Sequence, residues 1–269
     1  MKQHISILML LSKSTLYKLL ILFALMISLE SFLFWQTLNR RLIDFLHQDA
    51  VALYSLEGIF AESYIPWVFG ICFLIQTALL IFVGCDFGSK QGYTLRRLNI
   101  SERSVFLWQA LYNAGCYLLL WMVQTIVALF LCQLYLNHNF LSENAETAES
   151  LLNSSNIIHP RITHQTIFLA FYRSNFLHSL LPLDDMIRFS RNILFILGLA
   201  TPAAAFPYYQ RRGKTSFSIH FLAVMCFFTF TDELGFYSLD GLSLLATIYA
   251  VSILYRIFIK ERKEEAYEK

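Results

Sequence analysis

The chain has 269 residues, of which 57% are hydrophobic and only 15% are charged, and its formal net charge is +2. Soluble domains carry about 25% charged residues, so this chain has too few polar side chains to cover its apolar surface in water. The small net charge also argues against a nucleic-acid partner. The composition therefore predicts an all-α integral membrane protein whose solvent is the lipid bilayer.

Six apolar segments are long enough to be considered as membrane spans, since a helix needs about 20 residues to cross a hydrocarbon core of about 30 Å. In chain order they are 16–35, 65–85, 105–136, 192–209, 216–231 and 239–259. The third is longer than one crossing requires, and the fifth, between Lys214 and Asp232, is the shortest. The sequence predicts a single transmembrane domain of about six helices.

The lysines and arginines indicate which helix ends face the cytoplasm. With the N-terminus inside, fifteen of the 21 basic residues fall in the predicted inner segments, as the positive-inside rule requires. The Arg40-Arg41 pair is a local exception. This bias predicts that both termini are cytoplasmic, that 86–103 is a cytoplasmic loop and that 137–191 is an extracytoplasmic loop with helical character.

Two segments outside the spans contain apolar residues at helical spacing. Residues 4–14 fit either an amphipathic helix on the inner leaflet or the first turns of a long first span. Residues 166–183 contain several phenylalanines around Arg173, and a charge at that position disfavours a seventh crossing by about 2.5–3.5 kcal/mol. A helix packed on the outer face is the favoured interpretation, and insertion into the membrane is the alternative.

Polar side chains inside the spans are the candidate functional residues. Glu30 is an acid well inside the first span, where it is either a coupling or substrate-contacting carboxylate or a protonated or hydrogen-bonded group near the outer interface. Gln109, Asn113 and Gln124 fall within about 60° of each other on the third span. The three amides either line a translocation path or hold helices together, since an interhelical hydrogen bond contributes about 0.6 kcal/mol.

The fourth predicted span combines small residues with prolines. The residues concerned are Gly198, Pro202, Ala203, Ala204, Ala205 and Pro207. Small side chains let helix backbones approach one another, and prolines kink a helix. The pattern predicts close packing against another helix, with a hinge at the prolines as the alternative.

Nucleotide-binding and catalytic motifs are absent from the sequence. A phosphate-binding loop needs a glycine five positions before its Gly-Lys pair, and Tyr208 stands at that position before Gly213-Lys214. No His-Glu-x-x-His or Gly-x-Ser-x-Gly arrangement occurs. We therefore expect no enzyme activity, no metal site and no cofactor in this chain, and expect any ATP hydrolysis to take place on a partner subunit.

The predicted cytoplasmic loop 86–103 mixes apolar and basic side chains. Its central residues are Tyr93, Leu95, Arg96, Arg97 and Leu98. This mixture fits either a short amphipathic helix that docks on a soluble partner or a basic loop on anionic lipid headgroups. Ser101 is placed to cap the third span, because serine is among the preferred N-cap residues.

From Arg97 to Arg103 the chain reads Arg-Leu-Asn-Ile-Ser-Glu-Arg. This run resembles the Arg-Leu-Pro-hydrophobic-Ser-Arg sequence that precedes the third span in the type-2 permeases of ATP-binding-cassette transporters. Asn99 and Glu102 depart from that pattern. The segments 106–113 and 171–183 are similar to bacterial permeases of this kind, and the six-span layout agrees with the family along nearly the whole chain.

The resemblance implies a permease subunit of the cytoplasmic membrane that forms a translocation path with a second permease chain, identical or related. A separate ATP-binding-cassette ATPase subunit would dock on a coupling helix within 86–99, through the five central residues Tyr93, Leu95, Arg96, Arg97 and Leu98. Export is the implied direction of transport. The alternative hypothesis is a non-transporting multi-pass scaffold or sensor whose outer loop binds a partner.

Overall fold

The computed structural model describes residues 2–46, 56–83, 85, 101–137, 164–182, 186–214 and 236–260. Within these ranges every regular element is a helix. In chain order the helices are α1 (Lys2–Leu46), α2 (Leu56–Glu62), α3 (Ile65–Val83), α4 (Glu102–Asn137), α5 (His164–Arg173), α6 (Asn175–Leu180), α7 (Met186–Arg211) and α8 (Phe236–Tyr255). A π-helical turn, Arg256–Lys260, continues α8.

Five of the described helices are long and apolar enough to cross a membrane, as judged by length and composition. They are α1 over Thr15–Arg41, α3 over Ile65–Val83, α4 over Glu102–Leu136, α7 over Met186–Arg211 and α8 with its π-helical turn over Gly241–Lys260. These helices coincide with five of the six predicted spans, and the sixth, 216–231, lies outside the described residues. Large side chains such as Phe32 and Ile126 are exposed on them, as lipid-facing residues are. The chain is an all-α multi-pass membrane protein, as predicted.

One end of the helix bundle is rich in basic residues. The first turns of α1 pack there on the start of α4, where Leu11 and Val105 are buried in one cluster. The Phe106 ring lies 5.7 Å from Tyr208 near the end of α7 and 6.4 Å from Phe258 in the π-helical turn. We call this end the basic end. Its described lysines and arginines are Lys13, Lys18, Arg103, Arg211, Arg212, Lys214, Arg256 and Lys260.

The structure decides between the two interpretations of residues 4–14. α1 runs without a break over 45 residues, and Ile7 is fully buried in the cluster with Leu11 and Val105. Residues 4–14 are therefore the first turns of a long first helix rather than a separate helix. At about 1.5 Å per residue, α1 is about 68 Å long and extends beyond a hydrocarbon core of about 30 Å.

α7 and α8 run parallel, and both point toward the basic end. Near the middle of α7, a Cβ atom placed on Gly198 would lie 2.8 Å from the Cβ atom of Ala246 in α8. Further along, Tyr208 and Ile257 share one buried cluster. Close helix packing by the small residues of α7 is thus confirmed. The chain leaves α7 at the basic end and begins α8 at the opposite end, which is the order that the six-span prediction requires.

Residues 166–183 contribute to two short helices, α5 and α6, rather than the single helix predicted from the sequence. Ser174 separates them and caps α6, because its Oγ accepts a hydrogen bond from the N–H of Leu177 at 3.4 Å. Phe176 is buried, and its ring lies 6.1 Å from that of Phe69 near the start of α3. Both helices are too short to cross a membrane, and they pack on the bundle at the end opposite the basic end.

Ser101 caps α4, as predicted. Its Oγ accepts a hydrogen bond from the N–H of Ser104 at 3.3 Å. The next residue, Glu102, accepts a hydrogen bond from Nε of Arg212 at 3.2 Å. The Arg212 guanidinium also lies 4.6 Å from the centre of the Tyr208 ring. These contacts fasten the residues that follow the 86–100 segment to the end of α7.

Candidate functional site

Five fully buried side chains with a carboxyl or amide group lie inside the described part of the bundle, and we call them the interior polar row. They are Glu30 of α1, Gln76 of α3, and Gln109, Asn113 and Gln124 of α4, each at most 1% exposed. Gln109 and Gln124 are 15 positions apart in one helix, which is about 22 Å along its axis. The row therefore extends through most of a hydrocarbon core of about 30 Å.

Glu30 and Gln124 form a direct contact between α1 and α4. The amide Nε2 of Gln124 donates a hydrogen bond to Oε2 of Glu30 at 3.0 Å. The other oxygen of each side chain, Oε1 in both, is buried and has no hydrogen-bond partner among the described residues. This pair thus holds two helices together and still leaves two acceptor oxygens unused.

Gln76 lies at the middle of the row, beside the contact between α3 and α4. The Tyr117 hydroxyl donates a hydrogen bond to Oγ1 of Thr77 at 3.0 Å, and its ring stacks on Phe73 at 5.1 Å between centroids. Gln76 lies between these two α3 residues in sequence, so its depth is within about one helical turn of Asn113. Neither amide atom of Gln76 has a hydrogen-bond partner in the described part of the chain.

Gln109 and Asn113 continue the row toward the basic end. Both amide atoms of Gln109, and Nδ2 of Asn113, are buried without a hydrogen-bond partner among the residues described. A buried polar group left in this state costs about 1–3 kcal/mol, and native proteins contain only a few of them. Buried polar groups without a hydrogen-bond partner are expected at functional sites, because such sites keep residues that serve function at a cost in stability.

Hydrogen bonds join the helices alongside the row, toward each end of the bundle. Toward the basic end, the hydroxyls of Thr15 and Tyr112 bond to each other between α1 and α4. At the opposite end, Nε1 of Trp121 donates to the carbonyl oxygen of Leu180 in α6 at 2.8 Å. Nδ2 of Asn192 donates to the neighbouring carbonyl of Ser179 at 2.9 Å. The five side chains are at most 1% exposed and therefore do not contact water in this conformation.

The structure places the four path residues predicted from the sequence, Glu30, Gln109, Asn113 and Gln124, on the buried faces of α1 and α4. Gln124 bonds to another helix, while Gln109 has no hydrogen-bond partner in the described ranges. Gln76 is a further member that the spacing along the third span does not reveal. The signal that could have found it is an amide in the middle of the apolar run 65–83, the same kind of signal that marks Glu30.

The other predicted site lies outside the described residues. The docking residues Tyr93, Leu95, Arg96, Arg97 and Leu98 belong to the 86–100 segment, so their role stays a prediction. Within the described ranges, no group of three or more histidine, cysteine, aspartate and glutamate side chains is arranged to hold a metal ion. The interior polar row is therefore the candidate site on which a functional proposal can be based.

Comparisons with known proteins identify no relative. No family model, curated protein or solved structure matches the chain. A function must therefore be inferred from the residues of the chain itself. Among them, the interior polar row distinguishes this bundle from helices held together by apolar and small side chains alone, which need no buried amides.

Proposed function

We propose that this chain is the permease subunit of an ATP-driven transporter and that its ATPase is a separate chain of the ATP-binding-cassette type. The observation that carries the proposal is the interior polar row. Polar and ionisable groups inside a membrane protein are costly and commonly mark the path of a substrate or ion. A scaffold that only spans the membrane would be more stable with apolar side chains at Gln76 and Gln109.

The energy source of this transporter lies outside the chain, because the sequence contains no phosphate-binding loop. The resemblance to type-2 permeases assigns the docking of the ATPase to 86–99. The contacts of Glu102 with Arg212, and of Arg212 with Tyr208, support this assignment, because they connect the residues after that segment to α7. A movement of the docked segment would then be passed to α4 and α7 together.

The proposed orientation follows from the charges. With the basic end in the cytoplasm, both termini are cytoplasmic and the chain lies in the cytoplasmic membrane, in agreement with the positive-inside rule. Among the candidate spans that the structure describes, α1 and α8 are the least covered. Their uncovered faces would contact lipid and the second permease chain. The direction of transport is export, as the resemblance implies.

Replacing Leu95 and Leu98 together by aspartate tests the docking assignment. Two carboxylates in an apolar contact would lack partners, and a buried unpaired charge is strongly destabilising to a complex. We expect the tagged wild-type chain to retain an ATP-binding-cassette ATPase, identified by mass spectrometry, during purification in mild detergent. The L95D/L98D variant should insert into the membrane at the wild-type level and lose at least nine-tenths of that ATPase.

The matched control changes two leucines of the predicted outer loop, Leu151→Asp and Leu152→Asp, and should leave the complex intact. Undiminished ATPase on the L95D/L98D variant would remove the docking site from 86–99. A wild-type chain that inserts correctly but never carries an ATPase would contradict the proposed function and favour the scaffold or sensor hypothesis.

A further inference from the structure

The Glu30–Gln124 pair has the composition of a binding site for a cation. Glu30 is fully buried inside a membrane-spanning helix, and among the described residues its hydrogen-bond partner is the neutral amide of Gln124. When Glu30 is ionised, its carboxylate needs a compensating positive charge, because an uncompensated charge inside a membrane is costly. A single positive charge balances one carboxylate, whereas a divalent cation would leave a net charge buried.

The atoms that the pair leaves unused indicate which kind of cation fits. Oε1 of Glu30 and Oε1 of Gln124 are both acceptors, both buried and both without a partner among the residues described. A primary ammonium group carries three N–H donors, so two of them match these oxygens. Two oxygens are far fewer than the six to eight that a metal ion such as Ca²⁺ requires. The acceptor set therefore favours a protonated amine over a bare metal ion.

The surroundings of Glu30 on α1 are apolar and aromatic. Met26 and Phe34, one helical turn before and after Glu30, are 0% and 1% exposed. The Phe34 ring packs against Phe60 of α2, with 5.4 Å between the ring centroids. Aromatic faces attract ammonium groups, and the apolar side chains of this face suit a hydrocarbon tail. The ligand that this neighbourhood fits is therefore amphipathic as well as cationic.

We propose that Glu30 and Gln124 bind the protonated amine of an amphipathic primary amine, and that such amines are the substrate class of this chain. The assignment as a substrate depends on the proposed transport function, but the binding site does not. The ammonium group donates one hydrogen bond to Oε1 of Glu30 and one to Oε1 of Gln124. Its hydrocarbon tail lies against Met26 and Phe34.

Equilibrium binding of radiolabelled hexylammonium tests this site. The purified full-length chain is placed in lipid nanodiscs, and empty nanodiscs measure partition into lipid. We expect saturable binding of one hexylammonium per chain. Glu30→Gln should weaken it by roughly 10- to 100-fold, because the charged acceptor of a hydrogen bond is lost. Gln124→Leu should weaken it less, because it removes a neutral acceptor.

Competing ligands and a matched variant separate the possible outcomes. Hexanol, which lacks the charge, and hexyltrimethylammonium, which lacks N–H donors, should compete poorly. Glu57→Gln, the same change at a residue of α2 outside the interior polar row, should bind like the wild type. Binding to the wild-type chain no greater than to empty nanodiscs would overturn the site. So would displacement by sodium ions, or by hexyltrimethylammonium, as effectively as by unlabelled hexylammonium.

These outcomes are distinct from a failure of the proposed function, because the binding measurement needs neither the ATPase nor transport. If a Glu30 variant does not fold, competition on the wild-type chain still tests the site. Unlabelled hexylammonium should then displace the label far better than hexanol, hexyltrimethylammonium or sodium ions. Saturable amine binding by a chain that carries no ATPase would keep the site and remove the transporter. An ATPase complex without amine binding would keep the transporter and remove this substrate class.

Discussion

Gly198→Leu is expected to leave little folded protein, because the new side chain has no room between α7 and α8. A Cβ atom on Gly198 would lie 2.8 Å from Cβ and 2.9 Å from the carbonyl carbon of Ala246, so part of the new side chain would meet backbone. Even Gly198→Ala should lower the free energy of unfolding by about 1–3 kcal/mol, the usual range for overpacking. Thermal unfolding in detergent, followed by circular dichroism, measures both variants.

Two further substitutions test whether the close approach of Gly198 to Ala246 causes the loss of stability. Gly115→Ala adds the same methyl group to α4, where nothing lies within 4 Å of the new Cβ atom, and should be neutral or stabilising by up to about 1 kcal/mol. Adding Ala246→Gly to Gly198→Ala should restore part of the lost stability. A Gly198→Ala variant as stable as the wild type would show that α7 and α8 are not in this contact.

Gln76→Met is expected to act in the opposite direction and raise the stability of the purified chain. Both amide atoms of Gln76 are buried without a hydrogen-bond partner among the described residues. Methionine has a similar unbranched shape and adapts to irregular gaps, so it removes the unpaired groups while keeping the packing. Since an unsatisfied buried group costs about 1–3 kcal/mol, the gain should be of that size, as a higher unfolding temperature in detergent will show.

Thr77, the residue after Gln76, provides a control substitution whose expected effect on the free energy of unfolding has the opposite sign. Thr77 accepts the hydrogen bond of Tyr117, so Thr77→Val should lower the free energy of unfolding, by about 0.6 kcal/mol on average for an interhelical bond. If Gln76→Met is also destabilising, Gln76 is a structural residue that holds helices together. A stabilising Gln76→Met would mean that the wild-type chain keeps a costly amide at its centre, which a path through the membrane explains.

The membrane spans could be predicted from the sequence because hydrophobic length is a local property. The same is true of the Ser101 cap and of the small-residue face around Gly198, each of which depends on residues close together in one helix. The division of 166–183 into two helices was missed because it depends on Ser174, whose side chain turns inward to cap α6. The prediction for this segment rested on the charge of Arg173, whereas the hydroxyl of Ser174 determines where α6 begins.

The arrangement of the site could be predicted only in part. Helical periodicity correctly gave the buried face of α4, with Gln109, Asn113 and Gln124 on it. The partner of Gln124 is Glu30, 94 residues earlier in the chain, and one sequence contains no information on how two distant helices are placed side by side. Gln76 was missed for a related reason, since a single amide in an apolar helix shows no period.

The most direct test of the central claim is whether water reaches the interior polar row during the transport cycle. Asn113→Cys is made in a chain whose five native cysteines are replaced, and membrane vesicles of both orientations are treated with an impermeant thiol reagent and ATP. The lipid-facing control is Leu118→Cys on the same helix. We expect position 113 to be labelled and position 118 to remain unlabelled. An unreactive cysteine at 113 in both orientations would contradict a path and leave the row as packing between helices.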